Sequence, residues 1–202
     1  MERPPVSDIA FTPSVKAVQT RKGSRSSHAR MASGNGWPNV ITDELKVFIE
    51  TQRSVFLATA TAAGQPYIQH RGGPPGFLKV LDDETIAFAD FKGNRQFITE
   101  GNLAENPRIH LFLIDYTQQQ RVKIWGEAVI VEDNASLAAV LMPKDYQARY
   151  DHVCLITVKA WDANCPQHIP QRFDAEDVAA ALAERDRHIA ELEARLKALE
   201  SP

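Results

Sequence analysis

Two cysteines in 202 residues are too few for a disulfide framework or a conventional zinc cluster, so neither a stapled secreted scaffold nor a Cys-rich metal fold is expected. Cys154 lies inside an apolar strand-like run, where a buried small hydrophobe is expected, and neither it nor Cys165 reads as catalytic. No apolar run approaches the roughly 18 residues of a membrane span. Nor does the N-terminus carry the apolar region of a secretory leader. A cytoplasmic protein with no membrane partner is therefore expected. The formal net charge of −3 excludes a chain that is basic overall, and nucleic acid is not an expected partner.

Acidic residues are missing between Asp8 and Asp43, where Lys16, Arg21, Lys22, Arg25 and Arg30 stand alone. Such an arm reads either as an anion-facing segment or as a solvated piece packed on its own domain. Its Ser- and Arg-rich composition is also that of an organellar transit peptide, although glycines and prolines interrupt it. Also missing is a Gly-rich dinucleotide fingerprint after the first strand. Strands and helices do not alternate either, and both facts disfavour a Rossmann fold.

What is present is a 44% hydrophobic chain, enough for one sizeable domain with appendages. Thr12-Pro13 predicts a helix N-terminus running toward Arg21, and Gly34-Asn35-Gly36-Trp37-Pro38 breaks the chain after it. Thr42 opens a short helix with Leu45, Phe48 and Ile49 on one face. From Ser54 the texture changes to short strands: SVFLATATA, QPYIQH, FLKVL and TIAFAD, joined by tight turns as in an antiparallel meander. A helix is predicted over Asn94–Glu105, ended by Asn106-Pro107. RIHLFLID and RVKIWGEAVIVED follow, with Gly126 marking a bulge or a close backbone approach. Residues 135–149 read as helical, and VCLITVKAW is the last strand. Seven short strands with helices confined to connections and ends suggest a small β-barrel, whose closure would remove exposed edges.

The tail is a separate object. Ala175, Leu182, Ile189 and Leu196 recur at heptad spacing, with Val178, Arg185, Leu192 and Leu199 as the complementary set. In a parallel pair, Arg195 would face Glu200 of a second copy and His188 would face Glu193. A single amphipathic helix lying on its own domain fits the same pattern. The expected organisation is a basic helical arm over 1–42, a barrel domain over 43–160, a wrap-around connector over 161–173 and an amphipathic or coiled-coil helix over 174–202.

Polar residues collect at two strand ends. Gln69, His70 and Arg71 close QPYIQH, and Lys92, Gly93, Asn94, Arg95 and Gln96 follow TIAFAD at the expected start of a helix. A helix N-terminus offers unpaired N–H groups and partial positive charge, so a phosphate suits the second cluster, while a polar cap with solvated cations is the plain alternative. A third cluster, Trp161-Asp162-Ala163-Asn164-Cys165-Pro166-Gln167-His168-Ile169-Pro170, contains too few ligands for a metal site.

Taken together, LATATAAGQPYIQ, FADFKGNRQFITEGNLAENPRIHLFL and RVKIWGEAVIVED resemble the pyridoxamine 5′-phosphate oxidase-like, FMN-binding split-barrel family over about residues 43–160. The resemblance implies a mainly β protein with flanking helices. Its six- to seven-stranded antiparallel split barrel would form a homodimer holding FMN in clefts between subunits. By position, Gln69, His70 and Arg71 would approach the flavin and its phosphate. Asn94 and Arg95 would match the phosphate turn, with Lys92 or Arg71 as candidates to replace the charge that Gln96 lacks, and Arg121 and Lys123 would lie beside the cofactor. Gln96 departs from the family pattern, where lysine is usual, and so does the loop GGPPGF. There, glycines would permit close approach to a ring and prolines would stiffen the turn; a rigid long turn is the plain reading. The third cluster resembles the Cys-Pro segment that ends the barrel in a subgroup, with Trp161, Gln167 and His168 as candidates to close over the ring or a substrate.

The expected function is therefore that of an FMN-binding flavoprotein, an oxidoreductase acting on an unidentified small molecule, with no metal. A basic C-terminal barrel strand, which true pyridoxamine phosphate oxidases bring to the vitamer phosphate, is absent and argues against that particular activity. Competing readings are a non-catalytic flavin carrier, a haem-binding split-barrel protein using His70, His110 or His168, and an RNA- or partner-binding adaptor using the basic arm.

Overall fold

A computed structural model describes residues 5–33, 36–164 and 166–200; Gly34 and Asn35 of the expected chain break, Cys165, and the side chains of Asn164 and Glu200 lie outside the described set. The chain divides into two compact units, residues 1–115 with 121–165, and residues 116–120 with 166–202.

In the first unit, a 3-10 turn (Val6–Ile9) precedes α1 (Pro13–Arg21), α2 (Arg25–Ser33) and α3 (Asp43–Thr51). Thr12 caps α1 by accepting from Val15 N, and Thr42 caps α3 by accepting from Leu45 N. α2 has no buried residue, which is why no apolar period announces it. Two of the arm's cations are engaged locally: Lys16 Nζ lies 2.7 Å from Asp8, and Arg25 donates to Gln19 at 2.9 Å.

Seven strands follow: β1 (Ser54–Ala60), β2 (Pro66–Gly72), β3 (Lys79–Val80), β4 (Thr85–Phe91), β5 (Arg108–Asp115), β6 (Gln120–Val131) and β7 (Tyr150–Asn164). Between them lie α4 (Ile98–Glu105) and α5 (Ala135–Leu141). They form one antiparallel sheet in the order β2-β1-β5-β6-β7-β4-β3. Strand alternation sends Val55 and Leu57 of β1, Ile109, Leu111 and Leu113 of β5, and Val122 and Ile124 of β6 into one core. Gly126 sits at the β6 register shift, where an added Cβ would stand 2.7 Å from Thr157 O, so bulge and close approach occur together.

Several expectations need correction. The sheet is not closed, because β2 and β3 remain its two edges. After Gly72 the chain leaves the ladder: Gly76 N donates to Glu50 O of α3, and Phe77 and Leu78 are buried, leaving only two residues to pair as β3. Glycine in this loop serves the loop's own packing, since a Cβ on Gly73 would stand 2.7 Å from Phe77 Cβ. α4 begins at Ile98 rather than Asn94, because Arg95 and Phe97 have φ of 59° and 54°, left-handed values that a helix does not contain. α5 stops at Leu141, two residues before Pro143. Finally, β7 starts at Tyr150, so the polar pair Asp151-His152 belongs to the strand.

In the second unit, residues 116–119 hold the connector. Gln119 Nε2 donates to Ile169 O at 2.6 Å, Thr117 Oγ1 donates to Arg172 O at 3.1 Å, and the Arg172 guanidinium lies over the Tyr116 ring. α6 (Ala175–Glu200) follows as one continuous helix. Among the described residues, no helix is long and apolar enough to cross a membrane.

Candidate functional site

The site forms where β2, β4, the start of β7 and α4 meet. On β2, Gln69 and Arg71 share a face by the two-residue period, and Tyr67 lies with them. Tyr67 OH and Thr99 Oγ1 both donate to Gln69 Oε1 at 3.2 Å, and Arg71 Nη2 reaches Thr99 Oγ1 at 3.5 Å. The Arg71 guanidinium lies against Asp90 at the end of β4, with Nη2 donating to Oδ2 at 2.9 Å and Nε 2.6 Å from Oδ1. That second approach is an ion-pair contact rather than an aligned hydrogen bond. Both side chains are largely buried, at 14% and 10% exposure, so each charge depends on the other.

Asp90 also faces His152, whose Nε2 is 3.2 Å from Oδ2, while Glu100 of α4 stands 3.9 Å from His152 Nδ1. The contact with Asp90 raises the His152 pKa above the ordinary imidazole value; burial opposes it, and the charges of Asp90, Glu100 and Asp151 add to the rise. Cys154, next along the same face of β7, is inert: burial pushes its thiol up to about 12.

α4 is held in place by its buried face. Asn102 Nδ2 donates to Thr59 Oγ1 of β1 at 2.9 Å, and Asn106 Nδ2 donates to Ala60 O at 3.3 Å. Its N-terminus has no side-chain cap. The preceding turn, in which Gln96 N donates to Asn94 Oδ1 and the Arg95 guanidinium lies 5.5 Å from the Phe97 ring centroid, folds over a cavity. Gln69, Arg71, Asn94, Arg95, Gln96 and Thr99 line this cavity, together with Asp90, Glu100, Asp151 and His152.

Seven of the nine cofactor candidates thus gather in one region, though not equally. Gln69, Arg71, Asn94, Arg95 and Gln96 face the cavity. Lys92 stands beside it, its Nζ 3.6 Å from Asp151 and its N–H donating to Arg149 O. His70 adds to the wall of the adjoining hollow, yet its ring turns to the opposite face, where Nε2 is 2.7 Å from Ser54 Oγ. Arg121 and Lys123 are elsewhere in the chain. In the β6–β7 ladder their backbones lie opposite Asn164 and Asp162, about 33 to 40 Å of strand along β7 from His152. Lys123 Nζ lies 2.8 Å from Asp162 and close to the stacked rings of Trp37 and Trp125.

Of the closure candidates, Trp161 packs against the core and donates from its indole N–H to Val40 O at 2.9 Å. Gln167 and His168 belong to the second unit. The residues that the sequence reading missed are Asp90, Thr99, Glu100, Asp151 and His152. Asp90 was the detectable one: an acid ending the apolar strand TIAFAD on a buried face requires a cationic partner. Among the described residues, no group of three or more His, Cys, Asp or Glu could hold a metal ion.

The donor set suits a phosphate. The uncapped start of α4, the Asn94 amide and the Arg95 and Arg71 guanidinium groups line one cavity; Asp90 already offsets Arg71, and Glu100 and the Lys92-paired Asp151 add two carboxylates to the same wall. Space within one chain is small. The cavity is about 60 Å³ and the adjoining hollow about 160 Å³, both below the roughly 300 Å³ at which pockets for larger ligands begin. Neither hollow has room for a tricyclic ring.

The sequence model of the pyridoxamine 5′-phosphate oxidase family matches residues 41–178. The chain belongs to the pyridoxamine 5′-phosphate oxidase-like family. No curated protein matches it. Among solved structures, this family member is similar to HupZ of Group A Streptococcus, at 22% identity and a TM-score of 0.50 over 66% of this chain and 99% of that one. A single-substitution form of HupZ gives 21% identity and 0.50 over 61% and 99%. A pyridoxamine 5′-phosphate oxidase-type protein of Lactobacillus delbrueckii gives 22% and 0.47 over 62% and 95%. At these identities the likeness is one of fold, the split barrel of the family.

Proposed function

We propose that this pyridoxamine 5′-phosphate oxidase-like protein is an FMN-binding flavoprotein that acts in the cytoplasm as a homodimer, as an oxidoreductase on a small molecule. The observation that carries the reading is the convergence of Gln69 and Arg71 from β2 with Asn94, Arg95, Gln96 and Thr99 at the uncapped start of α4. Arg95 and the helix N–H groups would hold the phosphate. Arg71, fixed by Asp90, would contribute orientation and a share of charge. The flavin, when bound, supplies the electron-transfer chemistry; the chain supplies anchorage and access.

Two features support a dimer that completes the site. The two hollows at this site are too small for the ring system. In addition, the sheet face opposite the core carries Phe56 and Ala58 of β1, Ile68 of β2 and Phe112 of β5, paired across the ladder and with Ile68 62% exposed. A second copy on that face brings a second set of β6 residues, the element of Arg121 and Lys123, into play.

The test is the absorption spectrum and mass of whatever is released from purified protein, followed by FMN titration of the apoprotein. Flavin bands, and an affinity weakened about tenfold or more by Arg95→Ala, a loss of a charge-assisted contact, are expected. Protein that takes up no FMN, or shows a haem Soret band instead, would refute the reading. Anaerobic reduction by a nicotinamide nucleotide separates enzyme from carrier: a bound flavin that no donor reduces leaves a carrier.

A further inference from the structure

α6 is a 26-residue helix in which every described side chain from Ala175 to Leu199 is exposed. Along one side runs an apolar stripe: Val178, Leu182, Ile189, Leu192, Leu196 and Leu199, each 43% exposed or more. A helix of this length with its stripe open to water gains little from propensity alone, and burying the stripe is the stabilisation available to it. We propose that α6 pairs with α6 of a second copy as a parallel, in-register two-stranded coiled coil.

Charge selects both occupant and direction. With Leu182, Ile189 and Leu196 at the a positions, the e positions hold Asp186 and Glu193 and the g positions hold His188 and Arg195. Parallel pairing sets each g residue against the following e residue of the other helix, so His188 meets Glu193 and Arg195 meets position 200, also an acid. Antiparallel pairing sets e against e, acid facing acid. Arg185, the one polar residue in the seam, selects the register. In register, the two Arg185 side chains share one layer flanked by Asp186, which already stands 3.7 Å away within a single helix. A slip of one heptad would press the guanidinium against Val178 and Leu192 instead.

The inference does not rest on flavin binding, and colourless protein should behave the same way. The test uses the full chain carrying Cys165→Ser, with Leu199→Cys in the seam or Ala198→Cys on the outward face, under mild oxidation. Leu199→Cys is expected to form a disulfide-linked dimer about tenfold faster than Ala198→Cys, because only the seam residue meets its own copy. Arg185→Leu should preserve tail pairing to about tenfold lower protein concentration, since it removes the polar layer. Equal rates for the two cysteine variants would overturn the proposal, as would mixed Val178→Cys and Leu196→Cys chains linking to each other while Leu199→Cys fails to link to itself.

Discussion

Replacing Asp90 by Asn removes one charge from a site that holds three partners together. Asp90 is 10% exposed at its side chain, lies within 3 Å of two Arg71 nitrogens and stands 3.2 Å from His152 Nε2. The change keeps the volume but leaves the Arg71 guanidinium buried against a neutral amide. Stranding one member of a buried pair costs about 3 to 5 kcal/mol. At this chain length 3 kcal/mol corresponds to a fall in Tm of about 6 to 12 °C. The same substitution removes the main cause of the raised His152 pKa, and this supplies a second readout. A histidine whose folded pKa lies above its unfolded value of about 6.5 contributes stability that is complete below that value and is lost as pH rises through the folded pKa. Wild-type protein should therefore lose stability as pH rises from 6.5, and Asp90→Asn should flatten that slope. Urea denaturation at pH 6 and pH 8 measures both effects. If Asp90→Asn unfolds at the wild-type midpoint with an unchanged pH slope, the Arg71–Asp90–His152 arrangement is not what holds this corner of the sheet.

Two further outcomes follow from packing. Gly126→Ala places a methyl group 2.7 Å from Thr157 O and 3.1 Å from Ile156 Cγ2, and should cost about 1 to 3 kcal/mol in urea unfolding by forcing β6 from β7; full wild-type stability would show that the bulge relaxes freely. Asn102→Ala deprives the buried Thr59 hydroxyl of its partner. It should cost about 1 to 3 kcal/mol and weaken FMN uptake by loosening α4; loss of stability with unaltered uptake would separate helix anchorage from the phosphate turn.

Much of the strand content was legible because burial on one face writes a two-residue period. Val55 and Leu57, Ile109, Leu111 and Leu113, and Val122 and Ile124 are inward residues that alternation alone identifies. Caps were legible for the same local reason: Thr12 and Thr42 each precede a helix and bond its first turn. Helix α4 was misplaced at its start because Arg95 and Phe97 adopt left-handed backbone, which their side chains do not advertise as glycine would. β7 was drawn short because Asp151 and His152 are polar, and their extended conformation comes from pairing with β4 rather than from composition.

The family and the two polar clusters on β2 and before α4 were determined by sequence, since they depend on which residue types follow which strands. Tertiary structure alone decided that Arg71 would be tied to Asp90, that His152 would join them from the far end of the chain, and that Arg121 and Lys123 would lie at the opposite end of β7. The open edges at β2 and β3 were decided there too, by the hydrogen bond from Gly76 to α3 and the burial of Phe77 and Leu78. Local sequence sets conformational preference over a few residues, whereas the partners of a buried charge come from elsewhere in the fold: the ladder sets His152 of β7 opposite Asp90 of β4, and Arg71 reaches Asp90 from β2, a strand that is not beside β4 in the sheet.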